Sequence, residues 1–140
     1  MRTLIITILL GTAVLALAKD AETLDQLKAR ADAADKHKQT ELYAELSRRQ
    51  IEAADQQYNT NVDQAKSLLE EGVQSAEKSA QACLDTGKNL KKVEITLRKI
   101  ENRVKEMQPS WAFEDRQPFP AAIKRIDDAR SKLLDRMFRK

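Results

Sequence analysis

Val62-Asp63-Gln64-Ala65 opens a run that continues to Glu106-Met107, and its spacing decides the fold. Val62, Ala65, Leu69, Gly72, Ala76, Ser79, Cys83, Thr86, Leu90, Val93, Leu97, Ile100, Val104 and Met107 alternate strictly by three and four. That is a heptad seam without a slip, the pattern of one helical face turned toward partners. The ends of the seam are large and aliphatic. Its middle, Gly72 to Thr86, is small, which lets a neighbouring helix come close. Asp85-Thr86-Gly87-Lys88-Asn89 is the weak point, because a glycine here either ends a helix or only softens it. The unbroken register favours one helix over 61–107, bent at most near Gly87. Such a helix would be about 70 Å long at 1.5 Å per residue.

Upstream, Asn59-Thr60-Asn61 is turn chemistry, and Asn61 with Gln64 has capping-box spacing. The chain is expected to reverse there. A first helix is expected over 21–58, capped by Asp20. Leu24, Leu27, Ala31 and Ala34 lie on one face. Leu42, Tyr43, Leu46, Ile51, Ala54 and Tyr58 continue it in shifted phase. The slip falls near 36–41 and marks a bend or a polar stretch without a partner. Downstream, all three prolines and half of the six aromatics fall between Pro109 and Pro120. This predicts a loop over 108–119. Pro120 suits the first turn of a closing helix over 120–138, whose apolar face is Ile123, Ile126, Ala129, Leu133, Leu134, Met137 and Phe138. The expected fold is all-α: a long antiparallel, coiled-coil-like hairpin with a shorter third helix. Three glycines and three prolines in 140 residues leave too few turns for a sandwich of many short strands.

The first 18 residues are a separate matter. Arg2, an apolar run from Leu4 to Leu17, and Ala16-Leu17-Ala18 have the three-part form of a secretory signal peptide. Cleavage near Ala18/Lys19 is expected, leaving one helical domain over 19–140. The alternative is a retained N-terminal anchor. The expected location is periplasmic or secreted, with a bacterial flavour in Gly11 and the Ala-x-Ala ending.

Leu42-Tyr43, Ala53-Ala54, Tyr58, Asp63-Gln64-Ala65 and Leu68-Leu69 resemble a single helical hairpin of the tetratricopeptide family, over about 40 residues (42–82). The family's Trp-Leu-Gly opening is absent, and Asn61 stands where the family has glycine. The resemblance implies helix packing and protein binding, and nothing about chemistry. The chain also resembles uncharacterised bacterial exported helical proteins, to which no function attaches.

Chemistry-bearing motifs are sparse. His37 is the single histidine and Cys83 the single cysteine, so no metal set and no cofactor site is expected. Cys83 falls on the seam and reads as a small buried apolar residue. If the seam met a second copy, Cys83 would lie between the two chains. Carboxylate pairs such as Glu70-Glu71 read as a solvated face. An enzyme is not expected.

The charge map is more informative. Residues 19–87 hold 9 basic and 14 acidic side chains, whereas 88–140 hold 15 basic and 8 acidic. Lys91, Arg98 and Lys105 repeat every seven residues, with Lys92 and Lys99 beside them, as a stripe away from the seam. The last helix adds Lys124, Arg125, Arg130, Lys132, Arg136, Arg139 and Lys140. Either the acidic and basic helices lie side by side and balance, or the stripe binds an anionic partner. Trp111, Phe113 and Phe119 either close the core or anchor a partner. The expected function is therefore non-enzymatic: protein–protein interaction, or a structural role in the cell envelope. The candidate surface is Lys91, Lys92, Arg98, Lys99, Lys105, Trp111, Phe113 and Phe119. A periplasmic holdase is the alternative. A peripheral binder of anionic membrane or envelope polymer is a weaker one. A protein partner and a homo-oligomer through the 62–107 seam are both admitted; nucleic acid is not expected.

Overall fold

The computed structural model describes residues 21–139, so the expected leader lies outside the described residues. Every regular element among them is helical. The order is α1 (Leu24–Ala33), α2 (Lys36–Gln57), α3 (Val62–Thr86), α4 (Leu90–Met107) and α5 (Phe119–Phe138). Two single 3-10 turns, Gln108–Ser110 and Phe113–Asp115, occupy the last loop.

The first expected helix is two helices. Thr23, not Asp20, caps α1: its side chain accepts from the Gln26 amide at 3.1 Å, and Gln26 reaches back to the Thr23 amide at 2.9 Å. The chain then extends through Ala34 and Asp35. Asp35 caps α2 by accepting from the Lys38 amide at 3.0 Å. The phase slip at 36–41 is thus the start of a new helix running back along the first. Tyr43 donates to Asp32 at 2.5 Å, and Arg49 donates to the Glu22 carbonyl at 2.5 Å, which fixes α1 antiparallel to α2. Leu27, Ala31, Tyr43 and Leu46 form a small cluster of their own there.

Asn61 caps α3 as its spacing implies, accepting from the Gln64 amide at 3.0 Å. The larger correction concerns 61–107, which is not one helix. Gly87 is left-handed (φ 67°) and donates to the Cys83 carbonyl at 2.8 Å, closing α3. Asn89 is also left-handed (φ 58°). Two such residues within three positions turn the chain back, because no right-handed helix passes through them. The heptad register survives the turn because α3 and α4 face the same core.

Ion pairs give the directions. Lys92 meets Glu41 at 2.8 Å and Arg103 meets Glu52 at 2.7 Å, so α4 runs parallel to α2. Arg125 meets Glu70 at 2.8 Å, while Arg136 lies near Gly87, so α5 runs parallel to α3. The four long helices therefore alternate up and down around one core. Helix α2 contacts α3 and α4, and α5 contacts the same two from the other side.

The small middle of the seam does what its size allows. A Cβ placed on Gly72 would lie 2.6 Å from Ile51 Cδ1, closer than atoms pack. Buried hydroxyls use the same proximity. Ser47 donates to the Gly72 carbonyl at 2.6 Å, Ser75 to Gln50 at 2.6 Å, and Ser79 to the Thr40 carbonyl at 2.5 Å. Each such bond contributes about 0.5–1.5 kcal/mol net, but losing one partner leaves a buried group unpaired. At the other end of the bundle, Trp111 stacks on Tyr58 (4.4 Å between ring centres) and meets Phe119 edge-on at 4.8 Å.

Candidate interaction surface

The eight residues singled out in the sequence separate into four groups. Trp111 and Phe119 are fully buried and belong to the core, so they are not available to a partner. Their burial has a local cause. Tyr58 closes α2 and offers its ring to Trp111, and its hydroxyl accepts from the Ala112 amide at 2.6 Å while donating to Asp115 at 2.8 Å. Arg116 then donates to the Trp111 carbonyl at 2.8 Å, pinning the loop. Phe113, two residues from Trp111, is 82% exposed.

Three members of the basic stripe are paired within the chain. Lys92 bonds Glu41 on α2. Arg98 grips Glu94 with two bonds, at 2.6 and 3.2 Å. Lys105 lies 3.5 Å from Glu101. Lys91 and Lys99 are exposed and have no ion pair among the described residues. The stripe is therefore not a continuous free cationic face.

Glu94, Glu101 and Arg130 were not singled out as a group in the sequence, and they carry most of the buried charge. Glu94 and Glu101 are 2% and 3% exposed on α4. Arg130 enters from α5 and bonds Glu101 at 2.7 Å and Glu94 at 3.1 Å. Burial pushes the Glu94 carboxyl up, but the bonds from Arg98 and Arg130 outweigh it and hold the group below its ordinary value. The readable signal was spacing: Glu94 and Glu101 are seven apart, each one step beyond a seam residue (Val93, Ile100). Two further arginines tie helices together. Arg103 joins α4 to Glu52 and Asp55 on α2, and Arg125 joins α5 to Glu70 and Glu77 on α3; both guanidiniums are held still more firmly charged by these bonds.

Cys83 is fully buried, and burial pushes its thiol up to about 12, so it is neither nucleophilic nor accessible. The seam around it is covered by helices of the same chain, which removes it as a meeting place for a second copy. His37 is exposed at the start of α2. Among the described residues no group of His, Cys, Asp and Glu is placed to hold a metal ion. No helix among them is long and apolar enough to cross a membrane.

A different basic cluster emerges from the topology. The turn at Gly87 brings three chain segments to one end of the bundle. Lys36 and Lys38 come from the first turn of α2, Lys88 from the α3–α4 turn, Lys91 from the first turn of α4, and Arg136 and Arg139 from the end of α5. Lys36 bonds Asp85 at 3.1 Å, Asn89 bonds Thr40 at 2.9 Å, and Arg136 lies against Gly87, so these segments are neighbours. Lys88, Arg136 and Arg139 sit at helix C-termini, where a cation is favoured by the dipole. Lys36, Lys38 and Lys91 sit in first turns, where it is not, and neither α2 nor α4 carries an acid in its first turn. Of the acids here, Asp35 is engaged by the Lys38 amide and Asp85 by Lys36 and Gln81, while Asp135 in the last turn of α5 is exposed and offsets one of the cations. Phe138 stands at this tip, 76% exposed.

Comparison with models of protein families, with curated proteins and with solved structures finds no match for this chain.

Proposed function

We propose that the protein is an exported, non-enzymatic helical bundle that acts through its surface, by binding a partner or by structuring the cell envelope. The observation that carries this reading is the basic tip. Lys38, Lys88, Lys91, Arg136 and Arg139 gather there without an ion-pair partner among the described residues. Three of the tip's cations stand at helix N-termini, where local electrostatics disfavours them. A protein gains nothing in fold stability from that arrangement, whereas an anionic partner gains a focused positive field. The tip shares Lys91 with the stripe read from the sequence and replaces the rest of that stripe, whose other members, Lys99 apart, are satisfied internally.

The test is affinity capture from the envelope fraction of the producing cell, comparing the native chain with Lys88→Glu/Lys91→Glu. Neither lysine has an acidic partner among the described residues, and an acid in the first turn of α4 is favoured, so helicity should be kept and melting should not fall. Loss of the captured material with the fold intact is the expected result. An identical capture profile for the two proteins would overturn the reading.

A further inference from the structure

We infer that the basic tip is a docking surface for an anionic lipid bilayer, with Phe138 as its apolar anchor. This rests on the reading above and names the partner's chemistry. The cations come from three separate segments that meet at one end of the bundle. A fluid anionic surface can place a headgroup beneath each of them, whatever their exact spacing. Phe138 decides between a bilayer and an acidic protein. It is 76% exposed, in the last turn of α5, with Arg136 and Arg139 on either side in sequence. An exposed aromatic ring at a helix end rich in basic side chains fits the acyl boundary, with the cations at the level of the phosphates. A folded acidic partner would need a matching pocket for that ring; a bilayer needs none. Contact would be peripheral, through the tip alone.

The experiment is co-sedimentation of the full chain with vesicles. One set is phosphatidylcholine alone and the other is phosphatidylcholine mixed with phosphatidylglycerol. The chain should sediment with the anionic vesicles only, and binding should weaken steeply as salt screens the tip. Lys88→Glu/Lys91→Glu/Arg139→Glu should lower anionic-vesicle affinity by at least about a hundredfold. Phe138→Ser should weaken it several-fold without altering helicity. Lys88→Gln/Lys91→Gln is the milder variant if the reversal disturbs folding, and it should still weaken binding. Equal binding to both vesicle types, or binding indifferent to these variants, overturns the proposal. Retention on immobilised polyglutamate with no vesicle binding overturns the lipid assignment and leaves the interaction reading standing. If envelope capture is also indifferent to the charge reversal, both fall.

Discussion

Arg130 is the residue on which the α4–α5 contact turns. It is mostly buried, and it compensates two carboxylates that are almost wholly buried. Removing one partner from such a network leaves uncompensated buried charge, at a cost of about 3–5 kcal/mol. Arg130→Leu should therefore lower stability by that amount in urea unfolding. Lys124→Ala breaks a solvent-exposed pair with Asp128 and should change stability by no more than about 0.5 kcal/mol. Equal effects from the two would mean that the Glu94–Arg130–Glu101 network is not a structural centre.

The same network sets an acid limit. The Glu94 carboxyl is held below its ordinary value of 4.5, by Arg98 and Arg130 against the opposing effect of burial. A depressed carboxylate contributes stability above its unfolded value, and that contribution is lost as pH falls through the folded value. Stability should thus decline below about pH 4.5, and Glu94→Gln should show a shallower decline over that range. Acid titration of the urea midpoint for both proteins checks this. Parallel curves would remove Glu94 from the account. These residues were half-legible in the sequence. Spacing put Glu94 beside the seam and within reach of Arg98, but only the third dimension brings Arg130 from 29 residues beyond Glu101.

At the scale of elements, the Gly87–Asn89 turn matters most. A residue with a side chain at Gly87 must adopt φ near 67°, which costs about 1–2 kcal/mol. Space is not the obstacle, since the nearest atom to an added Cβ is Arg136 Nη2 at 3.6 Å. Gly87→Ala should therefore destabilise by about 1–2 kcal/mol in thermal or urea unfolding, with little change in helical content. No effect would argue that the chain runs on through Gly87 as a right-handed helix. Of the fourteen seam positions eleven are buried, and the cap at Asn61 and the first-turn place of Pro120 are as the spacing implies, whereas Leu68, Val73 and Ala80 are buried off the seam. Spacing did not show that the seam folds back on itself. A heptad pattern records which face is buried, and two successive antiparallel helices around one core keep the same face inward. The break at Ala34–Asp35 was hidden for a related reason: a phase slip and a helix reversal look alike in one dimension.

For the whole molecule, the reversal at Gly87 creates the tip. Without it, Lys88 and Lys91 would lie midway along a rod, far from any helix end. With it, the N-terminus of α2, the α3–α4 turn and the C-terminus of α5 meet. The charge asymmetry between the two halves of the chain was visible in sequence, but its concentration at one end was not, because that depends on helix direction. The exposed aromatics show the same gap. Composition marked three residues in the proline-rich loop, and packing buried Trp111 and Phe119 while leaving Phe113 outside. Phe138, assigned from periodicity to an apolar face, is 76% exposed at the tip.

The most direct test is a distance between spin labels on cysteines introduced at Ser67 and Glu106, both exposed. Native Cys83 is buried with its thiol pushed up to about 12, so it should not take label. If the chain reverses at Gly87–Asn89, α3 starts and α4 ends at the same end of the bundle. Neighbouring helices pack about 8–10 Å apart and α3 and α4 face each other across the bundle, so the labels lie roughly 15–30 Å apart. A continuous helix would separate them by about 58 Å at 1.5 Å per residue. The short distance is expected; a distribution centred near the long one would contradict the bundle and dissolve the basic tip with it.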